Sequence, residues 1–230
     1  MDSLHQSPKV ATWVIYNSSC VPSPLSGLVV NIPSLKKDAV IAQPLVFLVC
    51  SALLMAAAYL VFRVVLRRDY ARNQRLSWYS TLLECLIFLL HANLSYLFVP
   101  AVWPGLPILG TNPALNTTAF VIIAIGLAVV ITGMTRLGFP ITLGSTASTL
   151  RQSGLYSATR NPQIVGYGLV VVGYALLWPS WPALVWVLLY AVIAQLMVIT
   201  EEEFLLNLYG DAYRRYCRRV PRYLGLPKRT

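Results

Sequence analysis

Polar residues in this chain sit at the ends of long apolar runs. Residues 45–62, LVFLVCSALLMAAAYLVF, contain one non-apolar side chain, Ser51. About 20 such residues suffice to cross a bilayer as a helix. A second run extends from about Trp78 to Val99 and is interrupted by Glu84, His91 and Asn93. A third covers about 118–135. A fourth, 164–178, is short and punctuated by Gly166, Gly168 and Gly173, and a fifth, 183–199, has Gln195 as its only polar residue. The fourth and fifth are separated by Trp178-Pro-Ser-Trp-Pro182, which predicts a tight turn at headgroup level, because proline breaks the helix and tryptophan favours that depth. The pattern predicts an all-α polytopic membrane protein of about five transmembrane helices.

Composition agrees. Of 230 residues, 57% are hydrophobic and only 11% charged, where a soluble domain carries roughly a quarter charged residues. Disorder and a disulfide-rich secreted scaffold are both excluded. The net charge of +10 does not point to nucleic acid, because the basic residues flank apolar runs instead of sharing a face with aromatics. All but Lys9, Lys36 and Lys37 of the 18 basic residues fall on one side of the five spans, and the positive side is cytoplasmic. The expected orientation is a lumenal N-terminus and a cytoplasmic C-terminus, in a multi-pass protein of the endoplasmic reticulum. Residues 1–40, broken by Pro22, Pro24 and Pro33, read as a lumenal or interfacial extension. Residues 41–137 hold the first three spans and 138–230 a C-terminal core. The four cysteines are scattered without a CxxC pair, so no metal site is implied.

Polar information concentrates in two blocks on the basic side, 148–168 (STLRQSGLYSATRNPQIVGYG) and 200–223 (TEEEFLLNLYGDAYRRYCRRVPRY). They are the ends of the hairpin formed by spans four and five, so they must be neighbours. The first offers a basic residue and an Asn-Pro at a helix entrance, where backbone N–H groups favour anions. The second offers three consecutive carboxylates. Such a site suits a zwitterionic ligand.

The first block resembles G-x-Y-x-x-x-R-H-P-x-Y-x-G, a signature of integral-membrane methyltransferases typified by isoprenylcysteine carboxyl methyltransferase; Gly154, Tyr156, Arg160, Pro162 and Gly166 match. The second resembles the same family's E-E-x-x-L-x-x-x-F/Y-G-x-x-Y-x-x-Y-x-x-x-V-P through Glu201, Glu202, Leu205, Tyr209, Gly210, Tyr213, Tyr216, Val220 and Pro221. The resemblance covers roughly 145–225. It implies S-adenosyl-L-methionine as methyl donor, in a cytoplasm-facing pocket contacted by Ser148, Thr149, Leu150, Arg151, Tyr156, Asn161, Pro162, Gln163, Ile164 and Glu201, with Arg160 and Glu201 holding the donor. Three positions depart from the pattern: Asn161 replaces a histidine, Ile164 an aromatic residue, and Met197 an arginine that would meet the acceptor's carboxylate.

The expected activity is SAM-dependent O-methylation, on a carboxylate or hydroxyl of a lipophilic acceptor that enters from the bilayer; a terpenoid-like small molecule is the alternative acceptor. An NADPH-dependent sterol reductase is the rival class, since its C-terminal end resembles YG-x-x-Y-x-x-Y-C-x-x-V-P. Glu84 and His91, two helical turns apart on one face, are either the wall of an acceptor tunnel, with His91 orienting or deprotonating the acceptor, or groups that satisfy a neighbouring helix. Met197 falls on the same acceptor side. Arg160 is either a donor ligand or a positive-inside anchor. Arg214, Arg215, Arg218 and Arg219 read as contacts to anionic membrane lipids.

Overall fold

The computed structural model describes residues 33–99, 108–138, 150 and 152–225. Residues 1–32 of the expected N-terminal extension, and Ser148, Thr149 and Arg151 of the expected donor site, lie outside the described residues.

Helix α1 (Pro33–Tyr59) runs without a break through a π-helical stretch, Leu60–Leu66, into α2 (Arg67–Asn73). Gln74 ends it in the left-handed conformation, and α3 (Trp78–Leu94) returns. Helices α4 (Pro113–Leu137), α5 (Pro162–Leu177), α6 (Trp181–Tyr209) and α7 (Asp211–Arg219) follow. The starts obey local capping chemistry: Ser77, Asn112 and Ser180 each accept a hydrogen bond from a first-turn N–H, and Pro113 and Pro182 occupy positions where the missing N–H costs nothing. No strand occurs among the described residues.

Four helical segments are long and apolar enough to cross a membrane: Gln43–Asn73, Trp78–Leu97, Pro113–Arg136 and Trp181–Tyr209. They contain the first, second, third and fifth expected spans. The fourth, α5, has 16 residues, a rise of about 24 Å against a hydrocarbon core of about 30 Å. It is an apolar helix too short to cross unaided, in keeping with the short fourth run of the sequence.

Helix α6 is the axis of the bundle. Its Trp186, Leu189, Tyr190, Ile193 and Ala194 pack into one core with Phe47, Leu54, Ala58 and Phe62, with Ile87 and Leu94 of α3, and with Val171 of α5. The outward faces are equally apolar: Leu45, Leu53, Leu86, Leu89, Ile125, Ile131 and Leu188 are all exposed. That is the arrangement of a protein whose solvent is lipid.

Helices α4 and α5 are antiparallel and touch backbone to backbone. A Cβ added at Gly126 would lie 2.6 Å from the Gly166 carbonyl oxygen and 2.9 Å from Val170 N. One at Gly173 would lie 2.9 Å from Ala119 O. Small residues allow this approach, and it anchors the short α5. Gly126→Ala should therefore lower stability by about 1–3 kcal/mol through overpacking. Thermal unfolding in detergent checks this against Gly110→Ala, where the added carbon meets only Leu177 O at 3.8 Å. Equal melting of the two variants would refute the tight-seam account.

Candidate active site

The two polar blocks meet, as the hairpin required. Arg160, just before α5, places Nη1 2.9 Å from Glu202 Oε1 on α6, with side chains only 11% and 13% exposed. Arg222 joins them, donating from Nε and Nη2 to the same carboxylate, the closest contact being 2.6 Å. The C-terminal strap is pinned further: Arg160 N donates to Pro221 O (3.0 Å) and Asn161 Nδ2 to Arg222 O (3.0 Å). Asn161 thus spends its side chain on the strap and does not cap α5. Two guanidiniums against one carboxylate leave one positive charge. Arg160 Nε is buried with no hydrogen-bond partner among the described residues.

Three consecutive carboxylates on a helix point about 100° apart, so Glu201, Glu202 and Glu203 do not share one counterion. Glu203 faces the π-helical stretch, where Arg63 Nη2 (2.8 Å) and Arg67 Nε (2.9 Å) bind it. Arg63 also donates to Thr200 Oγ1, and that hydroxyl reaches Phe62 O. Glu202 faces Arg160 and Arg222. Glu201 makes no hydrogen bond or ion pair among the described residues. It is half-buried and is the common electrostatic neighbour of Glu84 on α3, Tyr70 on α2, Tyr156 and Tyr213. Protein arginines thus pair with Glu202 and Glu203, and Glu201 has no such partner among the described residues.

Beside Glu201, the turn Gly154–Ser157 holds Tyr156 in place. Its hydroxyl donates to Gln163 Oε1 (3.0 Å), and its carbonyl accepts from Tyr216 Oη (2.7 Å). Burial, reinforced by the Glu201 charge, pushes the Tyr156 phenol up, and burial does the same to Tyr213 and Tyr216. All three are neutral donors at physiological pH. Tyr213, Tyr216 and Val220 form a small buried cluster that also receives Leu150.

Span two divides the expected acceptor pair. Glu84 lies in the electrostatic neighbourhood of Glu201. His91 does not join it. Its ring is fully buried and stacked on Trp186 (centroids 4.7 Å apart, planes 7° apart). Nε2 donates to Trp186 O at 3.0 Å, and Trp186 Nε1 returns a bond to His91 O at 2.7 Å. The ring is sealed from solvent and its Nδ1 has no hydrogen-bond partner among the described residues, so the contacts favour the neighbouring-helix reading over the acceptor-tunnel one. Met197 packs half-buried against the main core.

Sequence reasoning missed Arg222, Arg63 and Thr200. Arg222 was hidden among tail arginines. The embedded position of Arg63, ending an apolar run, was a legible signal, since an arginine there requires a partner.

A helical bundle buried in lipid, with a mixed-charge rim built by α5, α6 and the C-terminal strap, defines a polytopic membrane protein with a polar site at one end. Residues 115–212 match the family model described as phospholipid methyltransferase. The matched segment, less than half of the chain, includes Arg160, Asn161, Glu201 and Glu202 and overlaps both motif blocks. The match supports a membrane methyltransferase of lipid-like substrates. No curated protein and no solved structure matches the chain.

Proposed function

We propose that the chain moves a methyl group from S-adenosylmethionine to an oxygen of a lipophilic acceptor, at the charged rim of α5 and α6. The carrying observation is an uncommitted carboxylate, Glu201, in the same electrostatic neighbourhood as Arg160, whose buried Nε–H has no partner among the described residues. The donor's amino-acid end is zwitterionic and needs both. Arg160 and the Asn161–Ile164 turn would hold its carboxylate, and Glu201 its ammonium or sulfonium. Tyr156 would supply an aromatic wall. When bound, the donor supplies a methyl group activated by the positive sulfur.

The chain's own residues position and shield. An acceptor carboxylate, with a pKa of about 3.5 as an α-carboxyl, is already ionised and needs no general base. Alignment and water exclusion then carry the rate. Tyr156, locked by Gln163 and Tyr216, keeps the wall fixed. His91 acts through Trp186, holding α3 on α6 so that Glu84 faces Glu201; it is a positioning residue. The basic asymmetry supports a rim in the cytoplasm.

One observation favours a second acceptor. Glu84 and Glu201 are electrostatic neighbours with no ion-pair partner among the described residues, an environment suited to a basic nitrogen, and Met197 offers no positive clamp for a carboxylate. Membranes containing the protein, incubated with methyl-tritiated S-adenosylmethionine, separate the readings. Organic-extractable label released by alkali as volatile methanol supports a methyl ester; base-stable label extracted by acid supports an amine. Absence of lipid label overturns both. A glycosylation tag after Thr230 in the same microsomes should stay unmodified, and its modification would invert the orientation.

A further inference from the structure

The molecule has a second polar cleft. It lies between α2 and the charged end of α6 and measures about 1000 Å³. Arg67 and Arg68 form one wall, and Leu206, Asn207 and Leu208 line the other. Its floor is the Tyr70–Phe204 pair, stacked at 4.2 Å with planes 15° apart. The transfer site proposed above uses Glu201 and Glu202; this cleft opens on the Glu203 side of the same helix, and Tyr70 lies between the two as a neighbour of Glu201.

The cleft carries surplus positive charge. Glu203 is the acid in its lining, and Arg63 and Arg67 already bind it. Arg68 is exposed and makes no hydrogen bond or ion pair among the described residues. The lining thus sets two guanidiniums, Arg67 and Arg68, against one carboxylate that Arg63 also binds from outside the lining. Leu206 and Leu208 give the other half of the cleft apolar surface beside Asn207, and Leu206 is 37% exposed. A hydrated inorganic anion gains nothing from leucines and a flat aromatic floor. A phosphate ester joined to a glycerol backbone uses both halves. The cleft also sits where two membrane-spanning segments, Gln43–Asn73 and Trp181–Tyr209, reach their polar ends, which is the depth of a lipid headgroup.

We propose that this cleft binds the headgroup of an anionic phospholipid, with Arg68 and Arg67 on the phosphate and the Tyr70–Phe204 and leucine surfaces against the glycerol region. The site is a specific lipid seat, distinct from the diffuse attraction of the exposed α7 arginines.

Native mass spectrometry of the full-length, detergent-purified protein with added phosphatidylglycerol or phosphatidylcholine tests it. The expected result is one retained phosphatidylglycerol per chain, at least fivefold preferred over phosphatidylcholine. Arg68→Ala should lower retention about tenfold and Arg68→Glu should abolish it, while Arg215→Ala, on the exposed face of α7, should leave it unchanged. Arg68 is exposed and unpaired, so these variants keep the fold, which unchanged thermal unfolding verifies. Equal loss in Arg68→Ala and Arg215→Ala would reduce the site to diffuse charge attraction. Displacement by 10 mM inorganic phosphate would make it a simple anion site, and absence of headgroup preference would overturn it outright.

Discussion

Glu202→Ala is expected to be the most destabilising single substitution at the rim, costing about 3–5 kcal/mol, the range for removing one partner of a buried ion pair. The carboxylate is shared by Arg160 and Arg222, and its loss strands the Arg160 charge in a setting where the side chain is only 11% exposed. Arg222, at 37% exposed, contributes less, because water screens it. The strap holding Asn161 and Arg160 to residues 221 and 222 should loosen with it, so donor binding falls as well. Thermal and denaturant unfolding in detergent measure the effect; stability within about 1 kcal/mol of the parent protein would show that the triad is not a structural lock.

Glu201→Gln should have the opposite profile. Glu201 has no hydrogen-bond or ion-pair partner among the described residues, and the amide preserves its volume, so the fold should be unaffected. Donor affinity should drop by about 1.5–3 kcal/mol, the value of a hydrogen bond to a charged group, or about ten- to a hundred-and-fifty-fold. Methyl transfer should fall with it. Calorimetry with S-adenosylmethionine on purified protein reads affinity, and unfolding reads stability. Parent-like affinity in a well-folded Glu201→Gln variant would remove Glu201 from the donor site.

The helices were legible because burial in lipid leaves a coarse signal: any run of about 20 apolar residues is informative wherever it packs. The meeting of the two polar blocks was legible for a topological reason, since a Trp-Pro turn forces α5 and α6 to return to the same end. What hydropathy could not give is direction around a helix. Glu201, Glu202 and Glu203 read as one acidic patch, yet the step of about 100° per residue sends them to three different neighbours. For the same reason Glu84 and His91 share a face by spacing but reach different depths, one beside Glu201 and the other sealed against Trp186. Gly166 matched a motif without a visible reason; its contact with the Gly126 carbonyl supplies one.

The π-helical stretch Leu60–Leu66 acts as a phase adjuster. Widening the helix absorbs residues that regular α-helical winding would turn onward by about 100° each. Everything downstream inherits that angular offset, including the face on which Arg67 meets Glu203. Shortening the stretch by a single residue would leave hydropathy almost untouched, yet would swing the α2 arginines a quarter-turn or more away from α6. Spans grafted between such proteins are therefore matched by winding phase as well as by length.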